Sequence, residues 1–311
     1  MLLKNFNKIN LPHPIQYQGS KRALAPIILS YFPNDIDRLI EPFAGTAAIS
    51  VASAHQNLAK KYWLNDLNKP LIKLLELIIE QPEEIANFYE KIWWKQEQDS
   101  IGHYYAVREK FNQTDDPKCF LYLLSRCAKG SVRYNREGYF NQSPDKRRKG
   151  TKPQTMKKNI LGVSYLLKDK THFSCRDYKD MLANISTHDL IYMDPPYQGV
   201  CKDKDARYYA SINFNEFVET LGKLNAQKLS FIISYDGKTG DKIYGKKLPP
   251  SLKLTHFEIE VGSSSQATLL GKREITYESL YLSQALINRL NHNNLYTSSY
   301  YHKKQQLSLG F

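Results

Sequence analysis

The chain has 311 residues and a formal net charge of +13, from 44 basic and 31 acidic side chains, with 12% aromatic residues. That length suits one large domain or a domain carrying an insertion, and the charge excess points to a polyanionic partner, nucleic acid ahead of an anionic membrane surface. Cys119, Cys127, Cys175 and Cys201 never approach CxxC spacing, no HExxH pattern is present, and no signal peptide or bilayer-length apolar run is evident; we expect no metal centre, no membrane anchor and a reduced, cytoplasmic setting.

Residues 21–31, KRALAPIILSY, have the apolar spacing of a short amphipathic helix. RLIEPFAGTAAISVA then reads as a short strand, a glycine turn and a small-residue helix suited to close packing on a sheet, and KYWLND reads as a second strand. From Leu67 to Asn159 the periodicity is helical and polar, as in LNKPLIKLLELIIE and PEEIANFYEKIWWKQE. Strands return in THFSC, DLIYMD and KLSFIISYD. This alternation predicts an α/β fold around a parallel sheet with right-handed crossovers. The expected organisation is a catalytic domain formed by 1–66 and 160–283, interrupted by an inserted domain at 67–159 and followed by a polar tail at 284–311.

In an open parallel sheet, ligands bind outside the carboxyl ends of the strands, and three such ends carry acids or glycine. In Glu41-Pro42-Phe43-Ala44-Gly45-Thr46, Gly45 allows a tight turn and close backbone approach before a helix. Asp66 ends the next strand, where a carboxylate could accept from ribose hydroxyls or cap the helix that follows. Asp194 is followed by Pro195, Pro196 and Tyr197. The prolines have no N–H, so this turn offers only acceptors beside a carboxylate, an arrangement that fits a group presenting two hydrogens, and Tyr197 offers a ring to stack on.

With these residues in place, the sequence resembles the DNA adenine-N6 methyltransferases of the Dam type, the alpha group, whose catalytic motif is Asp-Pro-Pro-Tyr. Asp194-Pro195-Pro196-Tyr197 matches that motif, and Glu41, Pro42, Phe43 and Gly45 match the family's cofactor loop. Tyr17-Gln18-Gly19-Ser20-Lys21 matches the N-terminal segment, Asp66 the acid after the second strand, and Asp177-Tyr178 the pair ahead of the catalytic strand. In the inserted region, Arg133-Tyr134-Asn135-Arg136-Glu137-Gly138-Tyr139-Phe140-Asn141 matches a segment that helps members read DNA. One departure is Ala47, where many members have a second glycine; it narrows backbone freedom and bears on cofactor affinity. Ser234-Tyr235-Asp236-Gly237 resembles a further pocket wall.

The resemblance implies a Rossmann-like class I methyltransferase sheet with an inserted, mainly helical DNA-recognition domain carrying a basic hairpin. It implies S-adenosylmethionine as methyl donor, held by Tyr17, Lys21, Glu41, Pro42, Phe43, Ala44, Gly45, Thr46, Asp66, Asp177, Tyr178 and Asp194. Asp66 would hold the ribose, Asp177 the adenine amine of the donor, and Lys21 would lie near the methionine carboxylate or the target pocket. The substrate would be a flipped-out adenine in double-stranded DNA, with Asp194, Pro195, Pro196 and Tyr197 at the reacting amine. Basic residues from 126 to 149 are opposed only by Glu137 and Asp145, and Arg126, Arg133, Asn135, Arg136, Tyr139, Asn141, Arg147 and Arg148 are the candidate DNA contacts. The alternatives are methylation of cytosine N4 or of RNA adenine, or a DNA-binding module without catalysis; no Pro-Cys pair exists for a covalent carbon-5 cytosine mechanism. A monomer is expected, and a cognate restriction endonuclease is compatible with this activity.

Overall fold

A computed structural model describes residues 11–17, 19–127, 130, 132–182, 185–196, 212–240, 242–263 and 275–292. Its centre is a mixed sheet whose strands are β1 (Ile36–Glu41), β2 (Ala59–Asn65), β3 (Thr171–Ser174), β4 (Leu190–Met193), β5 (Phe231–Thr239), β6 (Lys242–Tyr244), β7 (Thr255–Ser263) and β8 (Ile275–Leu282). They lie in the order β3-β2-β1-β4-β5-β8-β7, with β6 paired to β5. Pairings from β3 through β5 are parallel, whereas β8 runs antiparallel to both β5 and β7. Every residue of β4 is buried, as expected for a short apolar run covered on both faces. Strand order reverses between β1 and β4, which opens a crevice at their carboxyl ends.

The expected first helix is a 3-10 turn at Lys21–Ala23 and a short α1 (Ala25–Leu29), the α-helical part starting where Pro26 occupies its first turn. Helix α2 (Ala48–His55) follows the Gly45 turn, and its small residues Ser50, Ala52 and Ser53 are buried. Between β2 and β3 lie α3 (Lys69–Glu80), α4 (Pro82–Lys95), α5 (Ser100–Thr114), α6 (Pro117–Arg126) and α7 (Pro153–Leu167). Leu71, Leu74, Leu75, Ile78 and Ile79 give α3 the apolar stripe that its sequence announces. The helical segment runs past the expected boundary at 159, because α7 continues to Leu167 and packs against α3 and α4. Leu123 and Ile160 share one apolar cluster with Leu39 and Tyr62 of the sheet, so packing is continuous across the helical segment and the sheet.

The remaining helices are α8 (Tyr178–Met181), α9 (Phe214–Ala226) and α10 (Gln284–His292). The last corrects the expectation of a polar tail from residue 284, whose later part lies outside the described residues. Leu286 and Leu290 of α10 are buried, and Arg289 donates to Asp35 Oδ1 and to the carbonyls of Asp35, His188 and Asp189.

Asn65 fastens three strand ends. Its Nδ2 donates to the Pro42 carbonyl at 3.0 Å and the Arg176 carbonyl at 2.9 Å, while Oδ1 accepts from Ser174 Oγ at 2.8 Å and the Arg176 N–H at 3.1 Å. This amide is almost fully buried, so each bond has no solvent substitute. Asn65→Leu should destabilise the fold by roughly 3 kcal/mol by stranding buried backbone groups, measured as a drop in the urea midpoint without a change in slope.

Candidate active site

The crevice at the β1/β4 reversal contains a cavity of about 400 Å³ lined by the 17–21 segment, the loop after β1, the turn after β2, the turn after β4 and the starts of α8 and α9. Gly45 has a left-handed φ of +51°, and a Cβ built on it would meet nothing within 4 Å, so the loop presents bare backbone to open space. The next turn residue but one, Ala47, is also left-handed at φ 54° and fully buried. Alanine therefore occupies a conformation that costs an L-residue energy, at the position where glycine would be unstrained. Ser20 and Thr46 hydroxyls lie 3.1 Å apart and join the N-terminal segment to this loop.

Asp66 is spoken for on both oxygens. Oδ2 accepts from the Gly45 N–H at 3.0 Å and Oδ1 from the Asn68 N–H at 2.9 Å. The helix-capping role weighed for Asp66 belongs to Asn68, whose Oδ1 accepts from the Leu71 N–H. Burial pushes the Asp66 carboxyl above its ordinary value, and the two backbone N–H groups pull the other way. A carboxylate has about four lone-pair positions, so roughly two remain after these bonds.

Glu41, at the end of β1, is buried and accepts from the Ser50 N–H at 2.8 Å. Burial raises its carboxyl from 4.5 to about 7, and the Asp194 charge adds to the rise. Asp194 follows β4 directly, and its Oδ1 pairs with Lys21 Nζ at 3.1 Å. Lys21 is buried and also pairs with Glu278 Oε2 of β8 at 3.2 Å, which places it between the turn after β4 and β8. Pro195 and Pro196 line the same cavity; Tyr197 lies outside the described residues.

The opposite wall is aromatic. Phe43 and Tyr178 have ring centroids 5.2 Å apart, and Asp177 caps α8 by accepting from the Lys179 N–H at 2.9 Å. Tyr17, Ala44, Thr46 and Asp177 line the cavity, whereas Pro42 does not, its carbonyl being turned to Asn65. Ser234-Tyr235-Asp236-Gly237 is no wall of this cavity: Asp236 Oδ2 accepts from Tyr281 Oη at 2.6 Å, and the segment forms a bulge against β8. Motif reading missed Glu278 and Asn68, the first because it comes from a distant antiparallel strand. The tripeptide Asp66-Leu67-Asn68 carries a cap signal, which falls on Asn68 and not on Asp66.

The inserted segment holds the hairpin. Tyr134 bridges Phe140, the Asn135 N–H donates to the Tyr139 carbonyl at 2.8 Å, and Gly138 turns at φ +86°. Phe140 is buried between Phe111 and Phe120 and anchors the hairpin to α5 and α6. Arg133, Arg136, Tyr139, Asn141, Arg147 and Arg148 are exposed. Asn135 uses its side-chain oxygen on the N–H groups of Glu137 and Tyr139, so it shapes the turn. Arg126 corrects its assignment as a DNA contact. It is 1% exposed and donates to Ser100 Oγ at 2.8 Å and to the Asp145 carbonyl, so its guanidinium is consumed within the fold.

A family model for D12 class N6 adenine-specific DNA methyltransferases matches residues 17–261, which takes in every element of this site up to β7. The chain belongs to that family. This DNA methyltransferase is 27% identical over 205 residues to a DNA adenine methylase of Serratia marcescens, covering 65% of this chain and 72% of the relative. It is 30% identical over 191 residues to the retron Ec67 DNA adenine methylase of Escherichia coli, covering 60% and 63%. It is 26% identical over 254 residues to the Type II methyltransferase M.MjaIII of Methanocaldococcus jannaschii, covering 74% and 86%. The sheet described above is the Rossmann-like sheet expected for the family, and the methyltransferase acts on adenine N6 in DNA. Among the described residues, no helix is long and apolar enough to cross a membrane.

The raised Glu41 carboxyl gives this methyltransferase a pH-dependent stability. The folded state holds a proton that the unfolded chain loses above 4.5, so stability is highest below that pH and falls as pH rises to about 7. Between pH 4 and pH 8 the Glu41→Gln variant should gain about 3 kcal/mol relative to the wild type, read from parallel urea titrations.

Proposed function

We propose that the cavity binds S-adenosylmethionine and that Asp194 and the Pro195 carbonyl receive the two N6 hydrogens of a flipped adenine. The observation that carries this reading is that the acceptor-only turn after β4 and the Gly45 loop after β1 open into one cavity. That cavity is of a size for a nucleoside with a short charged chain, and it offers an exposed backbone turn, a ribose-side carboxylate and an aromatic wall.

The donor supplies an electrophilic methyl group on a sulfonium centre. Asp66 accepts from the ribose with its remaining lone pairs, Asp177 accepts from the donor's adenine amine, and Phe43 and Tyr178 cover the ring. At the other end, Asp194 and the Pro195 carbonyl each accept one N6 hydrogen and so localise a lone pair otherwise shared with the adenine ring. Orientation and electrostatic complementarity to the positive charge growing on nitrogen supply most of the rate. Asp194 needs no raised basicity, because the amine becomes acidic only as it is methylated. Tyr197 stacks on the extruded base, which offsets the unstacking cost of roughly a few kcal/mol.

The hairpin enters a groove with Arg133 and Arg136, while Arg147 and Arg148 neutralise phosphates. The likeness to a Type II methyltransferase supports a cognate restriction endonuclease sharing the recognition site, with this chain acting as a monomer.

Asp194→Ala should abolish transfer of labelled methyl from S-adenosylmethionine to duplex DNA while cofactor binding, followed by calorimetry, stays within severalfold of the wild type; near-normal turnover would remove the mechanism. Arg133→Ala or Arg136→Ala should weaken DNA binding by about tenfold and lower the slope of log affinity against log salt. An unchanged slope and unchanged site preference would remove the hairpin assignment.

A further inference from the structure

Lys21 contributes one ammonium to two carboxylates, Asp194 at 3.1 Å and Glu278 at 3.2 Å, and all three side chains are largely withdrawn from water. A buried lysine paired with Asp194 alone would cancel the charge of the acceptor group. The second carboxylate changes that balance, leaving the trio with a net negative charge at the target side of the cavity.

Glu278 reaches this point through a deliberate break in strand register. Along β5 and β8, Ser234 faces Leu280 and Gly237 faces Glu278, so β5 carries one residue more than its partner across that step. The extra residue is accommodated by Asp236, which has a left-handed φ of 56° and accepts from Tyr281 Oη. Gly237 completes the bulge: a Cβ there would come within 2.5 Å of the Tyr277 carbonyl oxygen, so glycine is required for β8 to lie this close. Glu278 shares its face of β8 with Leu280 and Leu282, which are buried in the main apolar cluster, and it is the polar end of that row.

We propose that Glu278 is a positioning residue for methyl transfer, sharing the Lys21 ammonium so that Asp194 keeps its negative charge toward the target amine. As the N6–CH3 bond forms and the S–CH3 bond breaks, sulfur keeping the bonding pair as a neutral thioether, positive charge arrives at N6 and is discharged when an N6 proton leaves through Asp194. A negatively charged trio stabilises that arrival where a neutral pair would not. In Glu278→Gln, Lys21 pairs with Asp194 undivided and the acceptor weakens. This inference rests on Asp194 as the acceptor of the N6 hydrogens.

The test is single-turnover methyl transfer by the full chain with S-adenosylmethionine and its duplex substrate, beside separate titrations of cofactor and DNA. Glu278→Gln should slow the transfer step by about tenfold or more with both dissociation constants within twofold of the wild type. Glu278→Asp, which keeps the charge, should recover most of the rate and serves as the second variant if the glutamine protein folds poorly. A wild-type transfer rate in Glu278→Gln overturns the inference. So does a loss confined to cofactor or DNA affinity, which would make Glu278 a wall of the cavity, and so does an aspartate variant as slow as the glutamine one. If Asp194→Ala remains active, the acceptor reading itself fails; if Asp194→Ala is inactive while Glu278→Gln is normal, only the present inference fails.

Discussion

Carboxylates gathered in one half-buried crevice repel one another and lose hydration, so each must find a donor or a cation, and much of the site follows from that constraint. Glu41 meets it by accepting from the first turn of α2 and by holding a proton well above the usual carboxylate range. Asp66 meets it with two backbone N–H groups, and in doing so fixes the Gly45 turn to the start of α3. Asp194 meets it with Lys21. The acids therefore organise the loops around them, and the cavity is the space left between those loops.

The α/β alternation, the strand ends and most cavity-lining residues were legible in the sequence because each is encoded locally: an apolar run, then an acid or a glycine, then a helix pattern. The contributions that were not legible depend on register or on distance in the chain. Glu278 reaches Lys21 only through a bulge and an antiparallel pairing, neither of which leaves a mark in spacing. Arg126 sits among basic residues that suggest a DNA-facing strip, yet it ends α6, a helix whose every residue from Cys119 to Leu124 is buried. Charge clustering reports composition, whereas burial depends on what packs around the helix. The polar composition after residue 283 concealed a docked helix for a related reason: two leucines and one arginine with many backbone partners are enough to hold it.

The hairpin and the cavity meet at Asn68. Its Nδ2 donates to Tyr134 Oη at 3.2 Å, its N–H donates to Asp66, and its Oδ1 caps α3. Tyr134 in turn packs against Phe140, the ring that roots the hairpin in α5 and α6. One asparagine thus touches the base of the hairpin, the carboxylate that steadies the glycine turn and the first helix of the segment between β2 and β3.

Arg289 gives the sheet two unlike rims. By gripping the residues that lead into β1 and β4, it secures the amino ends of the two strands whose carboxyl ends border the cavity. The entry edge is thus laced to α10, while the exit edge is made of turns that ligands can approach. A fusion partner joined directly after α10 would accordingly start from the laced edge, leaving the approach to the cavity to the protein's own loops.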